Sequence, residues 1–202
     1  MSQQSLFNEG IEEFDLPDSE LHYHPQFLPK STANRLLHDL KEKIEWTQNT
    51  IRFYGKQSLV PRLEAWYGDP GKSYAYSGIH MNPKPWTADL LEIKDPIEKQ
   101  AGVTFNSVLI NYYRDGKDRV AWHSDNEKEL GEHPVIASLS LGSARKFLLK
   151  HNQTKQKIAI ILESGSLLLM KGETQEKWIH SLPKTKIIQK SRINLTFRFI
   201  HS

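Results

Sequence analysis

Arg192-Ile193-Asn194-Leu195-Thr196-Phe197-Arg198 decides how this chain is read. Side chains of an extended strand alternate between two faces. Ile193, Leu195, Phe197 and, just beyond, Phe199 therefore share an apolar face, and Arg192, Asn194, Thr196 and Arg198 share a polar one. The apolar face reads as core. The polar face has two readings: plain solvent-facing surface, or the lining of a cavity for a small dianion, because arginine grips carboxylates with paired N–H donors. Taken alone, the strand favours surface. Partners elsewhere have to decide.

The segments before it are of the same kind. Short β-like runs are predicted at 105–113, 119–123, 134–141, 146–150, 157–162, 166–170, 176–181, 186–189 and 192–200, with no long helix between them. That pattern indicates an antiparallel sandwich or barrel rather than a parallel βαβ sheet. Further upstream, an amphipathic helix is predicted from Ser31 or Thr32 as N-cap, with Leu36, Leu37, Leu40 and Ile44 on one side. Residues 50–80 mix aromatics and turn formers, as short strands and loops do, and a second helix follows Trp86 with Pro96 limiting or kinking it.

The chain has 202 residues, 38% of them hydrophobic, enough for one ordinary domain. It has no cysteine, which excludes disulfides, thiolate metal sites and cysteine nucleophiles, so any metal must be held by His, Asp or Glu. Net charge is +3, but Glu9, Glu12, Glu13, Asp15, Asp18 and Glu20 are unopposed in the first 20 residues. With those six set aside, 27 basic residues face 18 acids in 21–202, a net of +9 that suits a polyanionic partner. Residues 1–20 read as an acidic flexible lead-in and 21–202 as a single domain. No basic-then-apolar leader and no membrane-length apolar run are present, so the expectation is an intracellular protein of the cytoplasm or nucleoid.

Company for the polar strand face comes from Trp122-His123-Ser124-Asp125. Residues two apart on a strand point the same way, so the His123 imidazole and the Asp125 carboxylate can converge on one ion. By itself such a pair also reads as a surface hydrogen bond. His180, in Trp178-Ile179-His180-Ser181-Leu182-Pro183, is the best third ligand. Two histidines and a carboxylate form the facial triad suited to non-haem Fe(II). The seven other histidines read as surface or packing residues.

Taken together, His123-Ser124-Asp125, His180 and the Arg-x-Asn-x-Thr-Phe-Arg strand resemble the motif set of the AlkB family of Fe(II)- and 2-oxoglutarate-dependent nucleic-acid demethylases, nearest the branch with the animal DNA-repair members. The resemblance covers about residues 50–200. It implies a mainly β fold with flanking helices: a double-stranded β-helix, or jelly roll, over about 105–202, and a nucleotide-recognition lid with a supporting helix over about 50–104. It makes His123, Asp125 and His180 the iron ligands and Asn111 and Tyr113 contacts to 2-oxoglutarate. Arg192 would pair with the distal carboxylate of that cosubstrate, and Asn194, Thr196 and Arg198 would complete its pocket.

For the substrate, the resemblance matches Glu127 to the acidic position that meets a flipped base, Tyr74 and Tyr76 to lid aromatics with Ser77 beside them, and Tyr54-Gly55-Lys56 to a duplex-probing hairpin. Arg62, Lys56 and Lys117 are candidate phosphate contacts. Without the resemblance, Glu127 reads equally as a loop carboxylate, the tyrosines as sheet core and the cations as surface charge. The implied activity is oxidative demethylation of bases such as 1-methyladenine and 3-methylcytosine in single- or double-stranded DNA, with RNA as a further substrate class. It uses Fe(II), 2-oxoglutarate and O2 and releases formaldehyde, succinate and CO2. A monomer with no membrane association is expected. The alternatives are an oxygenase acting on RNA or a protein side chain, and a jelly-roll binding module without catalysis.

Overall fold

The structure, a computed structural model, describes residues 10–53, 56–71, 74–76, 79–81, 83–187 and 190–201, with 52, 53, 56, 74–76 and 79–81 described by backbone alone. The larger sheet is built from β1 (Glu12–Glu13), β2 (Glu20–His24), β5 (Leu63–Gly68), β8 (Ser107–Tyr113), β10 (Ile136–Gly142), β13 (Leu167–Lys171) and β15 (Arg192–Arg198), in the order β1-β2-β13-β10-β15-β8-β5. The smaller sheet holds β9 (Val120–His123), β11 (Arg145–His151), β12 (Lys157–Leu162) and β14 (Trp178–Leu182), in the order β12-β11-β14-β9. Neighbouring strands in both sheets run antiparallel. Two hairpins stand outside them: β3 (Thr50–Phe53) with β4 (Lys56–Leu59), and β6 (Tyr74–Tyr76) with β7 (Ile79–Met81).

Alternation along each strand sorts the core into two layers. Val108, Ile110, Leu139, Ile193, Leu195 and Phe197 face helix α1 (Lys30–Lys43) and helix α2 (Ala88–Ala101), meeting Leu36, Leu40, Ile93 and Ile97. The opposite face of the same sheet packs on the smaller sheet through Tyr23, Trp66, Leu109, Leu168, Phe147, Leu149 and Trp178. The polar residues of β15 lie on this inner side, between the sheets, and all are buried. The strand face is thus a cavity lining and not surface.

Several expectations need correction. Helix α1 starts at Lys30 behind Pro29, which makes no side-chain cap, so Ser31 and Thr32 sit inside the first turn. Proline's fixed φ already suits a helix start there. Helix α2 is capped by Thr87, whose Oγ1 accepts from the Leu90 amide at 3.3 Å, and it runs through Pro96. Pro96 is on the exposed side, where water can take up the freed Glu92 carbonyl, while Leu90, Ile93 and Ile97 hold the buried face. Strand β15 ends at Arg198, so the alternation stops and Phe199 is 39% exposed. Residues 186–187 form a bend rather than a strand, and 188–189 lie outside the described residues.

Residues 10–20 are not a free lead-in. Glu12 and Glu13 pair with Tyr23 and His22, Phe14 and Leu16 pack on the inter-sheet core, and the Trp178 indole donates to the Pro17 carbonyl at 2.9 Å. The His151 imidazole meets the Asp18 carboxylate at 3.2 Å. Two apolar side chains among five acids, with these hydrogen bonds, anchor the segment.

Gly142 closes β10 opposite Arg192, at φ +89°. A Cβ there would collide with the Ser191 carbonyl oxygen. Gly142→Ala is therefore expected to cost about 1–3 kcal/mol, from the left-handed backbone and the collision together. Denaturant unfolding checks this, and a midpoint equal to wild type would contradict it.

Candidate active site

The two sheets leave a cavity between them, walled by Val120, Phe147, Leu162, Met170 and Leu182 on its apolar side and by Tyr113, Ser138, Arg192, Asn194, Thr196 and Arg198 on its polar side. At one end, His180 on β14 is the cross-strand partner of His123 on β9, with ring centroids 4.3 Å apart. Asp125, two residues past His123, turns into the same space. Ligand atoms of His123, Asp125 and His180 all lie within 4.8 Å of one another, and no other such cluster occurs among the described residues.

The surroundings prepare each of the three as a metal ligand. The Ala121 carbonyl, 2.9 Å from His123 Nδ1, can only accept, so Nδ1 donates there and Nε2 is the ring atom left to face Asp125. Burial pushes His180 down to about 3, with His123 adding to the effect and Asp125 opposing it, so its imidazole is neutral at pH 7. Asp125 is 1% exposed. Burial alone would push its carboxyl up, but the Arg198 guanidinium and the two imidazoles hold it at about 2.

Asp125 is also fixed mechanically. Its Oδ2 accepts from Arg198 Nε at 3.2 Å and Nη2 at 2.9 Å, and its backbone amide donates to Gln175 Oε1 at 2.9 Å. Oδ1 is buried with no hydrogen-bond partner. An orphaned, ionised carboxylate oxygen beside two imidazoles fits a divalent cation.

Arg192 faces the same cavity and is 2% exposed. Its Nη2 donates to Ser140 Oγ at 2.9 Å and its guanidinium carbon lies 5.2 Å from the Tyr113 ring centroid, while Nε and Nη1 find no acceptor. Burial pushes Arg192 down to about 10, against the influence of Tyr113, which still leaves it protonated at pH 7. A buried cation with two spare donors fits the carboxylate of a 2-oxo acid. Asn194 and Thr196 are committed within the wall: Asn194 Nδ2 donates to Ser138 Oγ and the Leu139 carbonyl, each at 2.9 Å, and Thr196 Oγ1 donates to Asn194 Oδ1 at 3.2 Å. Arg198 shares the cavity wall but turns its guanidinium to Asp125.

Other expected positions fall elsewhere. Asn111 is buried on β8, in register with Asn194, and lies beside the cavity wall. Glu127 is half-buried with Oε2 unpartnered. Arg62 is no phosphate contact: it is buried, paired with Glu64 at 2.5 Å, and donates from Nε to Asn111 Oδ1 at 2.7 Å. Burial beside a carboxylate withdraws it from any surface polyanion. Lys117 is exposed. The backbones of Lys56, Tyr74 and Tyr76 lie in the two hairpins; Tyr54, Gly55 and Ser77 lie outside the described residues.

Sequence reading missed Gln175, which reaches Asp125 across 50 residues with no local signature. It also missed Ser138 and Ser140, whose spacing in Ala137-Ser138-Leu139-Ser140-Leu141 would have marked a polar inner face.

Residues 20–198 match the model of the 2OG-Fe(II) oxygenase superfamily, the class in which this fold and this cavity are at home. Among curated relatives, DNA oxidative demethylase ALKBH2 of Homo sapiens is 39% identical over 182 residues, covering 85% of this chain and 70% of that one. Alpha-ketoglutarate-dependent dioxygenase alkB homolog 3 of Homo sapiens is 38% identical over 206 residues, covering 96% and 71%. The solved structure of OsALKBH1 matches the fold with a TM-score of 0.65 at 17% identity, over 94% of this chain and 99% of that one. The chain belongs to the AlkB family of these dioxygenases, whose chemistry uses Fe(II), 2-oxoglutarate and O2. No helix among the described residues is long and apolar enough to cross a membrane.

Proposed function

We propose that this protein is a direct-reversal DNA repair enzyme that oxidatively demethylates N-alkylated bases such as 1-methyladenine and 3-methylcytosine. The observation that carries the reading is one cavity holding both the His123–Asp125–His180 cluster, with Asp125 Oδ1 unpartnered, and the spare donors of Arg192. The DNA demethylase relative points to the same substrate class. The chemistry supplied by bound Fe(II), 2-oxoglutarate and O2 is oxidation of an N-methyl carbon to formaldehyde, with succinate and CO2 as coproducts.

The protein's part is binding, orientation and exclusion of water. His123, Asp125 and His180 would hold the Fe(II). Arg192 takes the distal carboxylate of 2-oxoglutarate, with Tyr113 and Asn111 beside it. The apolar wall of Phe147, Leu162, Met170 and Leu182 keeps the reacting centre dry. Glu127 supplies negative charge for a base that methylation has made cationic; such a base cannot pair normally, so extruding it costs less. Tyr74, Tyr76 and Ser77 serve as lid residues over the extruded base, and Tyr54, Gly55 and Lys56 as the probing hairpin.

A lysine-bearing face lies on the outer side of the smaller sheet, behind the strands that carry His123 and His180. Lys150 pairs across strands with Lys157, and its Nζ sits 5.1 Å from the ring centroid of exposed Trp122, the neighbour of His123. Cations interleaved with an aromatic suit a nucleic-acid backbone. The enzyme works as a monomer in the cytoplasm or nucleoid.

The test is incubation with Fe(II), 2-oxoglutarate and O2 and matched single- and double-stranded DNA and RNA oligonucleotides carrying 1-methyladenine or 3-methylcytosine. Loss of the mass of one CH2 from the DNA base, with one succinate per base, is the expected result. Succinate formed while every base stays methylated would overturn the assigned substrate.

A further inference from the structure

A buried polar cluster at the β5 edge of the larger sheet lies outside the metal centre. Glu64 on β5 is the cross-strand partner of Asn111 on β8, and Asn111 that of Asn194 on β15, so the three share one row of the inner face. Arg62, just before β5, donates from Nε to Asn111 Oδ1 at 2.7 Å, and its Nη2 lies 2.5 Å from Glu64 Oε1. Asn49 Nδ2 donates to the other Glu64 oxygen at 2.9 Å. Arg62, Glu64 and Asn111 are all buried.

A guanidinium has donors only, so it dictates which end of the Asn111 amide faces it. The oxygen must turn to Arg62, so the two N–H donors of Nδ2 point away from that guanidinium. The opposite orientation would set N–H against N–H at Arg62 and offer an oxygen where an anion is to bind. Glu64 compensates the charge of Arg62, and Asn49 connects the pair to the base of the β3–β4 hairpin, where the Val60 amide donates to the Asn49 carbonyl at 2.8 Å.

We propose that Arg62 is a positioning residue for the cosubstrate: held by Glu64, it fixes the Asn111 amide with its N–H donors presented to a carboxylate of 2-oxoglutarate, and ties that orientation to the hairpin base. This rests on the reading of Asn111 as a cosubstrate contact. Arg62 thereby acts on 2-oxoglutarate and not on nucleic-acid phosphate.

The experiment is calorimetric titration of 2-oxoglutarate into the Mn(II)-loaded protein, for wild type, Asn111→Ala, Arg62→Lys and the double variant. Lysine keeps the charge but lacks the fork that serves Glu64 and Asn111 together. Each single change is expected to weaken 2-oxoglutarate about tenfold, and Arg62→Lys to add nothing further once Asn111 is alanine. Equal losses from Arg62→Lys in both backgrounds would overturn the proposal. So would an Arg62→Lys variant that binds 2-oxoglutarate like wild type while its affinity for an oligonucleotide loses salt dependence.

Unchanged binding by Asn111→Ala would show instead that the reading of Asn111 had failed, and the proposal would fall with it. Asn111→Asp keeps an oxygen for Arg62, and so the fold, but replaces the donors with a carboxylate oxygen. It is expected to bind 2-oxoglutarate more weakly than Asn111→Ala, and equal or tighter binding would overturn the assigned orientation.

Discussion

Replacement of Asp125 by alanine is expected to abolish turnover, by on the order of 10³-fold or more, since the loss of one of three protein ligands removes the metal-dependent path. The same change should destabilise the protein by about 3–5 kcal/mol, because it removes the carboxylate that is ion-paired with the buried Arg198 guanidinium. The two effects are separable. Asp125→Asn keeps the shape and an oxygen for Arg198 but loses the charge, so it should recover part of the unfolding midpoint and little of the Mn(II) affinity. Equilibrium unfolding beside Mn(II) titration reads both. An Asp125→Ala protein that still binds Mn(II) like wild type would contradict the assigned ligand set.

Arg192→Met carries the second largest expected effect, and its sign differs between function and stability. Loss of a charge-assisted pair to the distal carboxylate should weaken 2-oxoglutarate by about 10–100-fold. Without 2-oxoglutarate, however, wild-type Arg192 is a buried cation with two donors unmet. A methionine of similar length removes that cost, so the variant should unfold at a temperature equal to or above wild type when no cosubstrate is present. Adding 2-oxoglutarate and Mn(II) should raise the wild-type midpoint and move the variant's far less. A variant that is much less stable on its own, with undiminished stabilisation by 2-oxoglutarate, would mean that Arg192 is a structural residue.

How much of this was legible in the sequence follows from the range of the interactions. The alternation in 192–198 placed four polar side chains on one face because a strand's period is local, and it failed at Phe199 because strand termination is not. The His123–Asp125 pair was legible from spacing two, and His180 only as a distant candidate, since the register of β9 with β14 is what brings it across. Arg62 was misread for the same reason. As a lone arginine near a loop it looks like surface charge, and only the pairing of β5 with β8 buries it beside Asn111. In residues 10–20, the acids outweighed Phe14 and Leu16 in any local average, yet those two apolar contacts, with the Trp178 bond to Pro17, hold the segment down.

The most direct measurement is a crystal structure of the protein grown with Mn(II) and 2-oxoglutarate, with the metal located by anomalous scattering. The expected result is one manganese bonded to His123 Nε2, Asp125 Oδ1 and the His180 imidazole, with the distal carboxylate of 2-oxoglutarate on the Arg192 guanidinium. Manganese bound away from these three side chains, or 2-oxoglutarate seated without contact to Arg192, would contradict the account.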